Sequence, residues 1–139
     1  MDKEEFITKS VELLQEKANV CSVASVTEEG YPRICVLKPI GSQGIKMIYF
    51  STGSSSKKIG QYKENGKAGV TFFHGGDSVT LLGEMTIVKD KETKDCTYQN
   101  WMDKHFADGG KNDLEYAVLK FVANEATIYI DGAFETYSI

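Results

Sequence analysis

The spacing of apolar positions changes character after Ala18. Up to that point Phe6, Ile7, Ser10, Val11, Leu14 and Ala18 fall on one face at helical spacing and predict an amphipathic helix over 3–18. Asp2 followed by Glu5 resembles a capping box at its start. From Val20 to Val26 the residues are β-branched and small, which predicts a strand. Glu29-Gly30-Tyr31-Pro32 reads as a turn, Arg33 to Ile40 as a second strand, Gly41 to Gly44 as another turn and Ile45 to Ser51 as a third strand. The short connections predict an antiparallel meander. Ser56 to Asn65 predicts a helix closed by the pair Asn65-Gly66. Lys67 to His74 and Ser78 to Val88 form a hairpin pattern around Gly75-Gly76-Asp77. A further helix is expected over about Lys91 to Phe106, with Tyr98, Trp101, Met102, His105 and Phe106 as its apolar stripe. Ala107 to Asn112 reads as a loop. Glu115 to Ala123 and Thr127 to Ile130 are the last strands, joined by a turn at Asn124-Glu125.

Six to seven strands and about three helices result. The strands come in hairpins rather than in β-α-β alternation, which argues against a doubly wound parallel sheet. Their apolar runs are nearly continuous, so both faces are expected to be covered, as in a closed barrel or at a subunit interface. The fold class expected is mainly β with flanking helices, one domain over 1–139 with its barrel over about 20–131.

Composition narrows the function classes. The formal charge is −4 over 139 residues, whereas a general nucleic-acid or anionic-membrane binder is usually basic. Cys21, Cys35 and Cys96 form no C-x-x-C pair, so neither a zinc ribbon nor a dithiol motif is expected, and reduced thiols in a cytoplasmic protein are. The charged start Met1-Asp2-Lys3-Glu4-Glu5 does not read as a signal peptide, and no apolar run approaches the ~20 residues that span a bilayer. His74 and His105 have no second ligand at metal spacing and read as packed or capping residues.

Two segments carry chemistry. Ser51 to Lys58 is a strand end running into a Gly/Ser loop and then two lysines that open a helix. Hydroxyls, unpaired N–H groups at a helix start and cations together suit a phosphate. The G-x-x-x-x-G-K-[ST] loop is absent. Arg33-Ile34-Cys35-Val36-Leu37-Lys38 is a strand with a cation at each end, about 17 Å apart at strand rise. That span suits a flat, phosphorylated cofactor whose polar ring edge meets the backbone between them.

The pattern Gly30-Tyr31-Pro32-Arg33, then Arg33 to Lys38, then Tyr49-Phe50-Ser51-Thr52 with Ser56-Lys57-Lys58, resembles the pyridoxamine-phosphate-oxidase-like proteins, and within them the short general-stress-protein branch. Trp101 and the strand Tyr116 to Phe121 agree with that branch. The resemblance implies an antiparallel split β-barrel, homodimeric, with flavin mononucleotide (FMN) at the interface. It implies that Arg33 and Lys58 hold the flavin phosphate with Lys57 and Ser56 assisting, and that Ser51 and Thr52 follow the ribityl chain. Ile34, Val36 and Leu37 are implied to line the ring, Lys38 to lie at its reactive edge, and Ser78 to stand where the family commonly has a polar residue reaching the flavin. Residues 131–139 lack the Arg and His with which the vitamin-B6 oxidases bind substrate, so that particular activity is not expected. The expectation is an FMN-dependent oxidoreductase serving a small-molecule electron donor or acceptor, without nucleic-acid or membrane partners. A flavin carrier without turnover, and the same fold holding heme or a deazaflavin, stay open as alternatives.

Overall fold

The computed structural model describes residues 1–139. Its first element, α1 (Lys3–Glu12), starts where expected: the Asp2 carboxylate accepts from the Glu5 N–H at 2.9 Å. The helix then widens into a π-helical segment, Leu13–Lys17. Phe6, Leu13 and Leu14 are buried in the main core, where the helix packs on one strand of the sheet and the π-helical segment on another. Their burial is the main stabilisation of this helix, since ten residues are marginal alone.

Eight strands make a single sheet. They are β1 (Cys21–Val26), β2 (Pro32–Leu37), β3 (Pro39–Gln43), β4 (Met47–Gly53), β5 (Lys67–His74), β6 (Asp77–Ile87), β7 (Tyr116–Ile130) and β8 (Ala133–Ser138). The order is β2-β1-β5-β6-β7-β4-β3, with β8 also paired to β7, and every pair is antiparallel. The sheet curls until β2 lies against β4 without pairing to it. That unpaired seam makes the barrel split. Inside it Val23, Ile48, Phe50, Val70, Phe72, Leu81, Phe121 and Ile128 are fully buried. A smaller cluster of Ile40, Met102, Phe106, Tyr116 and Val118 sits outside the main core.

Several sequence expectations are corrected. The first three strands are not a meander: Lys38 interrupts the long second strand, and β2 and β3 then stand at opposite ends of the sheet. Gly41 to Gln43 belongs to β3, and the turn follows it. Residues 124–125 are not a turn; β7 runs unbroken through them, and its register with β6 shifts so that Asn124 is the extra residue of a bulge. Gly83, opposite, has no room for a side chain: a Cβ there would lie 2.0 Å from the Val122 carbonyl oxygen. The helix expected over 91–106 is only α3 (Lys91–Thr97), followed by a 3-10 segment, Asn100–Lys104. Its supposed stripe packs as the outer cluster instead. The helix α2 (Lys57–Glu64) ends at Asn65 in an extended conformation rather than in a left-handed cap. Gly66 serves the close approach of β6, its missing Cβ lying 3.1 Å from the Met85 carbonyl oxygen.

Candidate functional site

The chemistry gathers where β4 ends and α2 begins. Ser56 is the N-cap of α2, yet its side chain caps no N–H. Its hydroxyl is turned to the Lys58 ammonium, which donates to Ser56 Oγ at 3.3 Å and to Thr52 Oγ1 at 3.2 Å. Lys58 is only 9% exposed. The chain's three ion pairs are Lys9–Asp131, Lys17–Glu12 and Lys91–Asp95, so no carboxylate neutralises it. A buried cation with only neutral partners is costly, and such an arrangement is stable chiefly where an anion completes it.

Arg33 adds a second unsatisfied cation. It stands opposite Ser25 near the start of β2, and its Nη1 is buried without a hydrogen-bond partner. Arg33 shares a cavity of about 1000 Å3 with Lys57, the β1–β2 turn and one face of α2. Because Lys57 and Lys58 are consecutive on the helix, one faces this cavity and the other faces Thr52.

Thr52 also opens onto a second cavity, of about 430 Å3, lined by Val36, Leu37, Lys38, Ser51, Trp101 and His105 among others. The Lys38 ammonium lies 4.9 Å from the centre of the Trp101 ring, a cation–π contact. Trp101 is fixed in turn: its indole N–H donates to Gln99 Oε1 at 2.7 Å, and Gln99 Nε2 donates to the Ile40 carbonyl at 3.0 Å. Glu115 closes the other wall. Its carboxylate accepts from Ser55 Oγ at 2.8 Å, Ser54 Oγ at 3.1 Å and the Ser55 N–H at 3.4 Å. These bonds, those of Ser55 first, hold its pKa below the ordinary value. Ser54 and Ser55 therefore face Glu115 rather than an external ligand.

With two exceptions the predicted residues line two cavities beside the start of α2, which together make up the candidate groove. Val36, Leu37, Lys38, Ser51 and Thr52 line one cavity, Arg33 and Lys57 line the other, and Lys58 and Ser56 are hydrogen-bonded to Thr52 or to each other. Ile34 is 70% exposed on the outer face of β2 and lines neither cavity. Ser78 is not brought to the groove of its own chain. It pairs with Tyr129 on β7, whereas Thr52 pairs with Ala117, twelve positions along the same strand. That separation is about 40 Å of strand. Sequence reasoning missed Gln99, Glu115 and the placement of Trp101 beside Lys38. Nothing local signals them, because all three reach the groove from segments distant in sequence.

Comparison with known proteins agrees with this architecture. The family model described as pyridoxamine 5'-phosphate oxidase matches residues 7–129. A protein related to general stress protein 26, of the pyridoxinephosphate oxidase family, from Clostridium acetobutylicum superposes with a TM-score of 0.88 at 26% identity, covering 100% of this chain and 97% of its own. General stress protein 26 from Bacillus anthracis gives 0.79 at 18% identity, covering 100% of each chain. A heme binding protein from Mycobacterium smegmatis shares the fold at a TM-score of 0.74 and 13% identity, over 95% of this chain and 57% of that one. No curated protein sequence matches the chain. With the split sheet and a family match over most of its length, the chain belongs to the pyridoxamine 5'-phosphate oxidase family, among relatives of general stress protein 26.

Proposed function

We propose that this chain is an FMN-binding flavoprotein that carries out two-electron oxidation–reduction of a small molecule. The observation that carries the reading is a pair of cations without anionic partners, the buried Lys58 between two hydroxyls and the half-buried Arg33, whose Nη1 is buried and unpaired. An oxyanion with several acceptors is the partner such cations lack, and a flavin phosphate is one. In this reading Arg33, Lys57 and Lys58 hold the phosphate with Thr52 and Ser56. Ser51 follows the ribityl chain, and the β2 segment Val36 to Lys38 lines the ring opposite Trp101. Bound FMN supplies the hydride-accepting and hydride-donating chemistry. The protein's own part is to neutralise the phosphate, exclude water from the ring and hold the Lys38 ammonium at a fixed place above Trp101.

A homodimer with flavin at its interface belongs to the same proposal. Ile34 and Val36 are 70% and 62% exposed, a β-branched pair alternating along β2 with the half-buried Arg33, Cys35 and Leu37, and Val36 also borders the second cavity. Ser78, remote from its own groove, reaches a flavin only from a second copy. A cytoplasmic location fits the three free cysteines.

The test is titration of the flavin-free chain with FMN, followed by flavin fluorescence, together with Arg33→Ala and Lys58→Ala. Binding of one FMN per chain, weakened in both variants, supports the site. Unchanged affinity in both overturns it. Bleaching of bound flavin by a reduced nicotinamide, then reoxidation by an acceptor, separates an enzyme from a carrier that only binds.

A further inference from the structure

His105 closes the 3-10 segment Asn100–Lys104 through its backbone, whose N–H donates to the Met102 carbonyl at 2.9 Å. Its side chain stands exposed on the wall of the cavity that Lys38, Ser51, Thr52 and Trp101 also line. We infer that His105 is the proton donor of that cavity: it protonates an oxygen of a quinone-class electron acceptor as the acceptor takes up a hydride. The inference rests on the flavin reading above and adds to it the acceptor class and the residue that serves it.

Three features support it. First, His105 is the side chain of this cavity suited to give and regain a proton near neutral pH. The other ionisable groups lining it are Lys38 and Glu115. The Lys38 ammonium is engaged with the Trp101 ring at 4.9 Å. Ser55, and then Ser54, hold the Glu115 carboxyl below its ordinary pKa, so it has no proton to give. On its own segment the charged neighbours are Asp103 and Lys104, and Asp103 accepts from the Tyr98 hydroxyl at 2.6 Å. Imidazole is the side-chain type that ordinarily changes charge between about pH 5 and 8, where a general acid is most effective.

Second, the donor is firmly mounted. Met102 and Phe106 anchor its segment in the outer cluster. Its ring meets Trp101 edge-on, with centroids 6.1 Å apart, and Trp101 is tied through Gln99 to the Ile40 carbonyl. Third, the walls fit the acceptor. Trp101, Phe106, Val36 and Leu37 suit a planar ring, and Lys38 with His105 suits an oxygen on which negative charge develops.

A quinone that takes the hydride of reduced, anionic FMN becomes a hydroquinone monoanion, and the FMN is left oxidised. A proton from the His105 imidazolium makes the hydroquinone neutral. The imidazole then regains its proton from solvent, to which it is exposed, and His105 enters none of the chain's ion pairs that would hold it back.

The full chain, saturated with FMN and reduced by dithionite without oxygen, is mixed in single turnover with benzoquinone or with ferricyanide, which takes electrons but no proton. In His105→Gln the ratio of the quinone rate to the ferricyanide rate is expected to fall about 100-fold, the lower end of general-acid catalysis. The wild-type quinone rate is expected to fall as pH rises through the imidazole range, and the variant to lack that decline. A readout independent of turnover comes from the imidazole NMR signals of the two histidines. FMN is expected to move the signal that His105→Gln removes. An unchanged rate ratio, the same pH dependence in both proteins, or an imidazole signal that FMN leaves in place overturns this inference and leaves the FMN reading standing. Failure of FMN to bind in the fluorescence titration removes the two together.

Discussion

Replacing Lys58 by Met separates what this residue does for the fold from what it does for a ligand. The ammonium is held by Thr52 Oγ1 and Ser56 Oγ at 3.2 and 3.3 Å, in a residue only 9% exposed. Two hydrogen bonds from the ammonium to hydroxyls contribute about 1.5 kcal/mol each, the lower end for charge-assisted bonds. Burying an ammonium without a counter-charge costs several kcal/mol. Methionine keeps the length and the apolar stem, removes the charge, and leaves Thr52 and Ser56 within 3.5 Å of each other to share a hydrogen bond. The balance favours Lys58→Met by about 1 kcal/mol, which raises Tm by about 3 °C for a domain of this size. FMN affinity moves the other way. Loss of a charge-assisted bond to phosphate costs about 1.5–3 kcal/mol, or roughly 10- to 150-fold in Kd. Thermal unfolding of the flavin-free protein and a fluorescence titration measure the two effects on one preparation. A variant that is both less stable and unaltered in flavin affinity would refute the reasoning, because Lys58 would then be a structural residue.

Other perturbations test separate parts of the structure. Gly83→Ala places a Cβ 2.0 Å from the Val122 carbonyl oxygen and 2.8 Å from Ala123 Cα, so β6 and β7 must part at the bulge. Urea unfolding is expected to show a loss of about 3 kcal/mol. The depressed pKa of Glu115 stabilises the folded state above its ordinary value of 4.5, and that stabilisation is lost as pH falls through the lower folded-state value. Glu115→Gln is therefore expected to flatten the decline of Tm below about pH 4.5, while an unchanged acid limb would assign that decline to other carboxylates. Trp101 is the chain's one tryptophan and lines the cavity shared by Lys38, Ser51 and Thr52. Flavin binding is expected to quench its emission, and unaltered emission on saturation would place the ring elsewhere.

Local signals account for what the sequence revealed of the fold. The Asp2 cap, the β5–β6 hairpin at Gly75-Gly76 and the helix opening at Lys57 all depend on neighbours within four residues, and all are present. The errors lie where pairing is distant. Lys38-Pro39 marks a break, yet nothing near it says that β2 and β3 go to opposite ends of the sheet. Asn124-Glu125 has turn composition because a bulge at an exposed position of β7 tolerates the same polar residues. Tyr98 to Phe106 keeps three- and four-residue spacing, which a 3-10 segment docked on β3, β4 and β7 also satisfies. β8 did leave a signal: Asp131-Gly132, both with positive φ, is the two-residue hairpin turn that pairs β7 with β8.

The candidate site divides in the same way. Thr52, Ser56, Lys57 and Lys58 are legible because the end of β4 and the start of α2 bring them together over a short stretch of chain, whereas Arg33 comes from β2. The Gln99–Trp101 support of Lys38, and the Glu115 carboxylate that takes up Ser54 and Ser55 from the start of the neighbouring β7, come from segments far along the chain. They follow from sheet order, which no short-range pattern encodes.

The most direct test of the central claim asks whether the phosphate is what the groove holds. The affinities of FMN and riboflavin are compared in the wild-type chain and in Arg33→Ala/Lys58→Ala, at fixed salt. With Arg33 Nη1 and the Lys58 ammonium as phosphate ligands, the wild type binds FMN at least about 100-fold more tightly than riboflavin, from two charge-assisted interactions. In the double variant the two ligands bind alike. Equal affinity of the wild type for FMN and riboflavin would contradict the account, whatever the absolute strength of binding.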